Sequence, residues 1–215
     1  MQYYITYRQL FFLLSGSGID SLYGMRPDNI SEILSDFQKK DNIFRDMIDL
    51  YQHGVVSWEN DKIRINEPFY SFISIFKQAE HCLECINTKE TSVLYQQDDV
   101  FLRVSPSLND QNRIAVRMIM GQDIYQELGL EALEKTSLFP ESASEDYPFH
   151  DQDTLQEVLM IFKLRDAHSG DRIWDVHVIV SGIYTYLQIF EKDKIKNIAL
   201  NRNNINKLLF AGKNI

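Results

Sequence analysis

Polar and apolar residues alternate over most of the C-terminal part of the chain. A β-patterned run opens at Trp174-Asp175, turns at Ser181-Gly182, returns over Ile183 to Glu191, turns at Lys192-Asp193 and runs on from Lys194 to Leu200. A short amphipathic segment with Ile205, Leu208 and Leu209 closes the chain. Strand patterning also covers Leu159 to Arg165, with Ala167-His168-Ser169-Gly170 as its turn. Thr91 to Tyr95, Val100 to Val104 and Arg113 to Met120 read as three further strands, joined by Gln97-Asp98-Asp99 and by Ser105 to Asn112. Period-two alternation joined by short turns is what antiparallel pairing permits. The expectation is an α+β fold with a mostly antiparallel central sheet flanked by helices. Thr91 to Met120 and Leu159 to Leu200 supply most of that sheet.

The N-terminal half changes period. Met1 to Thr6 suits a short strand, and Tyr7 to Leu14 a buried helix carrying Leu10, Phe11, Leu13 and Leu14. Ser15-Gly16-Ser17-Gly18 stops it; without a following Gly-Lys-Ser/Thr it is no phosphate loop. Asn29 and Glu32 form a capping-box pattern, and Ile30, Ile33, Leu34 and Phe37 follow on one helical face. Phe44, Met47, Ile48 and Tyr51 repeat that spacing in a second helix, which Gly54 ends. Val55 to Trp58 and Lys62 to Ile65 flank Glu59-Asn60-Asp61, a hairpin signal. Pro68 suits the first turn of a third helix. Phe69, Phe72, Ile73, Phe76, Ala79 and Leu83 mark its buried stripe, which places Cys82 and Cys85 late in that helix. Ile124 to Lys135 reads as helix interrupted near Gly129. Glu59-Asn60-Asp61-Lys62-Ile63 and Glu191-Lys192-Asp193-Lys194-Ile195 echo one another, and each half ends on a helix. The expected organisation is one α+β domain, 1–215, built as two related lobes, 1–120 and 121–215, that share the sheet.

Charge narrows the possible partners. The 215 residues carry a net charge of -9, which argues against a general phosphate-backbone binder. Helix, helix, hairpin, helix is the element order of a winged helix. Here Asp46 and Asp49 face Arg45, and Glu59 and Asp61 face Lys62 and Arg64, so the DNA-binding form is disfavoured. Apolar runs are too short for a membrane span, and Met1-Gln2-Tyr3-Tyr4 lacks a basic secretion-signal region. Two cysteines point to a reducing compartment, so a cytoplasmic protein is expected.

Catalytic patterns are absent from the sequence. His81-Cys82-Leu83-Glu84-Cys85 has no second cysteine pair to complete a zinc site. His53, His81, His150, His168 and His177 form no His-x-x-x-His or His-Glu-x-x-His pair, and there is no Gly-x-Ser-x-Gly elbow. No enzyme, metal or cofactor is expected. The stretch from Thr136 to Thr154 holds Pro140, Pro148 and five carboxylates without lysine or arginine, and reads as a long acidic loop.

Several short motifs carry a family resemblance. They are Thr6-Tyr7-Arg8-Gln9-Leu10, then Ile19-Asp20-Ser21-Leu22-Tyr23-Gly24-Met25, then the glycine hairpin and Pro-led helix of Gly54 to Phe69. Trp174-Asp175, Gly182-Ile183-Tyr184 and Asn203 to Phe210 follow near the C-terminus. With these the chain resembles a distant Firmicute-type relative of the EspG family, the cytosolic chaperones of type VII (ESX) secretion. Ile183 stands where the family has arginine, and Asn, Asp, Lys and Ile replace its Gly/Ala/Arg-rich texture. The resemblance implies a non-enzymatic adaptor that holds a helical secreted client of the WXG or PE-PPE-like class, with no nucleic acid or membrane partner. Such binding needs an apolar surface rimmed by polar residues. The loops Ser105 to Asn112 and Thr136 to Thr154 are the expected contact elements, with Leu138, Phe139, Tyr147 and Phe149 as anchors. A winged-helix regulator and a small-molecule-binding α+β domain are the alternatives.

Overall fold

The computed structural model describes residues 2–19, 23, 40–107, 113–136, 156–181, 184–191 and 194–210, with the side chains of 40, 41, 135, 136, 191 and 194 left aside. In chain order the elements are β1 (Gln2–Ile5), α1 (Tyr7–Gly16), α2 (Lys40–Gln52), β2 (Val56–Glu59), β3 (Lys62–Ile65), α3 (Phe69–Gln78) and β4 (His81–Asn87). Next come β5 (Thr91–Gln97), β6 (Val100–Pro106), β7 (Ile114–Met120), a 3-10 turn (Gly121–Asp123), α4 (Ile124–Glu127) and α5 (Leu130–Thr136). The chain then runs through β8 (Gln156–Asp166), β9 (Arg172–Ser181), β10 (Tyr184–Glu191), β11 (Lys194–Ala199) and α6 (Arg202–Phe210). Nine strands form one sheet in the order β1-β7-β6-β5-β4-β8-β9-β10-β11, with every pairing antiparallel. The fold is α+β.

Two four-stranded meanders make up this sheet. β4 to β7 and β8 to β11 each run through consecutive neighbours, and the two join through their first strands, from His81 opposite Asp166 to Asn87 opposite Met160. β1 extends the far edge by pairing with β7. β2 and β3 form a separate hairpin. Its turn residues Asn60 and Asp61 both have positive φ, 51° and 59°, as a two-residue turn matched to strand twist requires.

β4 overturns the expected extent of the third helix. α3 ends at Gln78, Ala79 is extended, and Cys82, Leu83 and Cys85 belong to the strand. The cause is burial on both faces. Cys82, Leu83 and Cys85 are all buried, so polar-apolar alternation disappears and the run matches a helical stripe equally well.

The register sorts side chains onto two faces. Cys82, Tyr95, Leu102 and Met118 line up across β4, β5, β6 and β7 on one face, and Leu83, Leu94, Arg103 and Arg117 on the other. The first face buries Leu10, Leu13 and Leu14 of α1, Leu50 of α2, and Phe69, Phe72 and Phe76 of α3. Tyr3 meets Phe69 and Phe72 edge-on at 5.2 and 5.6 Å, and Phe76 meets Tyr95 at 5.0 Å. On the opposite face Phe162, Leu164, Trp174, Val176 and Leu187 pack with Ile124, Tyr125, Ile205, Leu208 and Leu209. Each such side chain contributes about 1.5–3 kcal/mol on burial.

Thr6 starts α1 with a capping box: its hydroxyl accepts from Gln9 N–H at 3.1 Å, and the Gln9 side-chain oxygen accepts from Thr6 N–H at 2.8 Å. Gln9 is itself buried, and its free amide hydrogens reach 2.7 Å to Asp49 on α2. One local cap thereby becomes a link between two helices.

Candidate functional site

α2 buries Leu50 in the first core yet leaves much of its apolar surface outside. Three of its large apolar residues, Phe44, Ile48 and Tyr51, are 63%, 42% and 54% exposed, and their i, i+4, i+7 spacing puts them on one face. The inward side combines the buried Leu50 with charged anchors. Asp46 is buried and receives two hydrogen bonds from the Arg8 guanidinium, at 2.5 and 2.8 Å. Asp49 accepts from Gln9 at 2.7 Å and from Arg113 at 3.1 and 3.2 Å. Burial raises the Asp49 pKa, but the Gln9 and Arg113 hydrogen bonds and the Arg113 charge outweigh it and hold the carboxyl below its usual range. His53 ends the helix with Nδ1 2.8 Å from the Asp49 carbonyl oxygen. The body thus grips α2 through Leu50 and these charged contacts and leaves a ridge of three large apolar side chains facing outward. On the adjoining hairpin Trp58 is 53% exposed as well.

A concave feature lies at the end of the sheet where β5 turns into β6. It is a cleft of about 500 Å³ lined by Gln78, Glu80, His81, Gln96, Gln97, Asp98, Asp99, Leu209 and Phe210. Its walls come from the α3–β4 junction, the Asp98-Asp99 turn and the end of α6. Among the described residues no group of three His, Cys, Asp or Glu side chains could hold a metal ion.

The anchors expected from the sequence, Leu138, Phe139, Tyr147 and Phe149, lie outside the described residues, as does the capping box of Asn29 and Glu32 with its stripe. Only the ends of the Ser105 to Asn112 loop are described. Cys82 and Cys85 point to opposite faces of the sheet, as residues three apart on a strand must. Burial pushes the Cys82 thiol up to about 12 and raises the Cys85 thiol as well. His168 donates its backbone N–H to Asp166 in the β8–β9 turn, and His177 lies 4.5 Å from the Phe190 ring. The structure does not bring these histidines together with the thiols. Reading the sequence located the α2 stripe but not its direction, because the partners that fix it, Arg8 and Arg113, are far away along the chain.

No described helix is long and apolar enough to cross a membrane. Compared with known proteins, the chain matches no protein-family model and no curated relative.

Proposed function

We propose that this chain is a non-enzymatic adaptor, working in the cytoplasm, that binds a helical secreted partner in the manner of a type VII secretion chaperone. The observation that carries this reading is the outward ridge of Phe44, Ile48 and Tyr51. Leaving three large apolar side chains half exposed forgoes part of the about 1.5–3 kcal/mol that full burial of each would give, which a covering partner recovers. Their helical spacing suits the apolar stripe of another helix, whose ridges fit between them. The resemblance to the EspG family supplies the class of partner.

The alternative use of the same elements, as a winged helix on DNA, is less well supported. Among the described side chains, the exposed face of α2 carries three large apolar groups beside a single cation, Arg45, and on the hairpin Arg64 pairs with Glu59 at 2.7 Å, which leaves Lys62 as the one cation there without a carboxylate. Phosphate binding needs uncompensated cations there.

Affinity purification from the native cell tests the proposal, using the wild-type chain beside a Phe44→Ala, Ile48→Ala, Tyr51→Ala variant. A small helical secreted protein should co-elute with the wild type and be lost from the variant. Recovery of no such protein by the wild type, or equal recovery by both, would sink the reading.

A further inference from the structure

We propose that α2 is a hinged arm, which opens from the body as one unit at the Gly54 joint while the sheet and the other helices stay folded. This goes beyond the adaptor reading and does not depend on it, since only contacts within the chain enter.

The two sides of the joint are held differently. Val55 and Val56, just past Gly54, are buried in the first core, so the hairpin side is fixed. Gly54 itself takes positive φ, 68°, and nothing lies within 4 Å of where a Cβ would stand. Glycine there absorbs a change of backbone angles without steric conflict. Across the joint the Val55 N–H donates to the Leu50 carbonyl at 2.9 Å, which closes the last turn while the arm is docked.

Beyond the joint the attachments are mostly polar. With 13 residues α2 is the longest described helix, yet among the described residues Leu50, one turn from the joint, is its one side chain in the first core. α1 places Leu10, Leu13 and Leu14 in that core, and α3 places five side chains there. Farther along α2, Asp46 is held by Arg8, and Asp49 by Gln9 and Arg113. The Arg113 and Asp49 side chains keep 25% and 26% of their surface in water. When the arm lifts, both members of each pair regain water together and no charge is stranded. The contribution that water cannot replace is apolar burial, which is small for α2 and large for its neighbours. Elements with few buried apolar contacts open at the low end of the stability range within one molecule. The arm carries the ridge of Phe44, Ile48 and Tyr51 with it. Once detached, a helix of this length is marginal in water, so its amides become open to exchange.

Native-state hydrogen exchange on the full chain, followed by NMR with urea added below the unfolding transition, tests this. The amides of Phe44 to Gln52 should share one opening equilibrium, roughly 100-fold or more above that of the buried Leu94 and Leu102, and it should respond only weakly to urea, because little surface is exposed. Asp46→Asn should raise exchange of the α2 amides roughly tenfold, since a hydrogen bond to a charged group is weakened. Exchange in the wild-type chain decides the matter even if that variant folds poorly. α2 amides that join the urea-dependent opening of Leu94 and Leu102 would overturn the proposal. So would protection graded residue by residue from the start of the helix, which marks fraying, or unchanged α2 exchange in a folded Asp46→Asn chain.

Discussion

The side chains of Cys82 and Cys85 leave the sheet in opposite directions, each into a different core. That geometry prevents them from bridging to one another or sharing an ion, and burial raises both thiol pKa values, keeping the nucleophilic thiolate scarce. Neither cysteine should react with a disulfide reagent such as DTNB until the chain is unfolded; prompt labelling of the native protein would refute this. The spacing Cys-x-x-Cys was legible in the sequence, but its meaning depended on whether the backbone was helical, and period alone could not decide that. His177 makes a second prediction at this scale. Burial against Phe190 lowers its pKa, opposed by Asp175 and assisted by Lys163. A lowered folded value means that the fold favours the neutral ring. The stabilising contribution is complete above the ordinary histidine value of about 6.5, and is lost as pH falls through it toward the lowered folded value. Urea midpoints measured near neutrality and at mildly acid pH should fall more for the wild type than for His177→Gln. Parallel falls would show that the imidazole plays no part.

α2 shows what an element's own sequence can and cannot reveal. Its apolar periodicity correctly announced a helix. Which face turned inward was set by Arg8, Gln9 and Arg113, residues on other elements whose pairing no local pattern encodes. Removing the acidic member of such a pair takes its salt-bridge partner from a partly buried guanidinium. Asp46→Ala should therefore destabilise the chain by about 2–3 kcal/mol in urea unfolding. Replacing both members, Arg8→Leu with Asp46→Leu, should cost less than the single change, because no orphan charge remains. A double variant as weak as the sum of its parts would argue that the guanidinium stem, not the pair, holds the helix. β4 is the complementary case. β5, β6 and β7 are likewise buried on both faces and were legible from the polar turns that bound them, whereas β4, at the centre of the sheet, follows α3 after only Ala79 and Glu80.

At the scale of the whole molecule the two cores lie on opposite faces of one continuous sheet, and β4 contributes side chains to both. Breaking either face strips support from the same strands, so unfolding should be cooperative. Trp58 on the hairpin and Trp174 in the second core give separate fluorescence probes once the other is replaced by phenylalanine. Their urea transitions should superimpose, and two separated midpoints would show the halves to be independent. The meanders themselves were readable from short turns; their junction was not, since it joins strands separated by most of the intervening chain. That junction has a consequence for synthesis. As the polypeptide leaves the ribosome, the first meander is complete while the partner of its innermost strand is still untranslated. For that interval β4 presents unmatched amides and, on the face that later elements cover, an apolar surface, the combination most prone to pairing with a neighbouring nascent chain. Slow translation through the stretch before β8 would lengthen the exposure, and a chain terminated there should be recovered chiefly in the insoluble fraction.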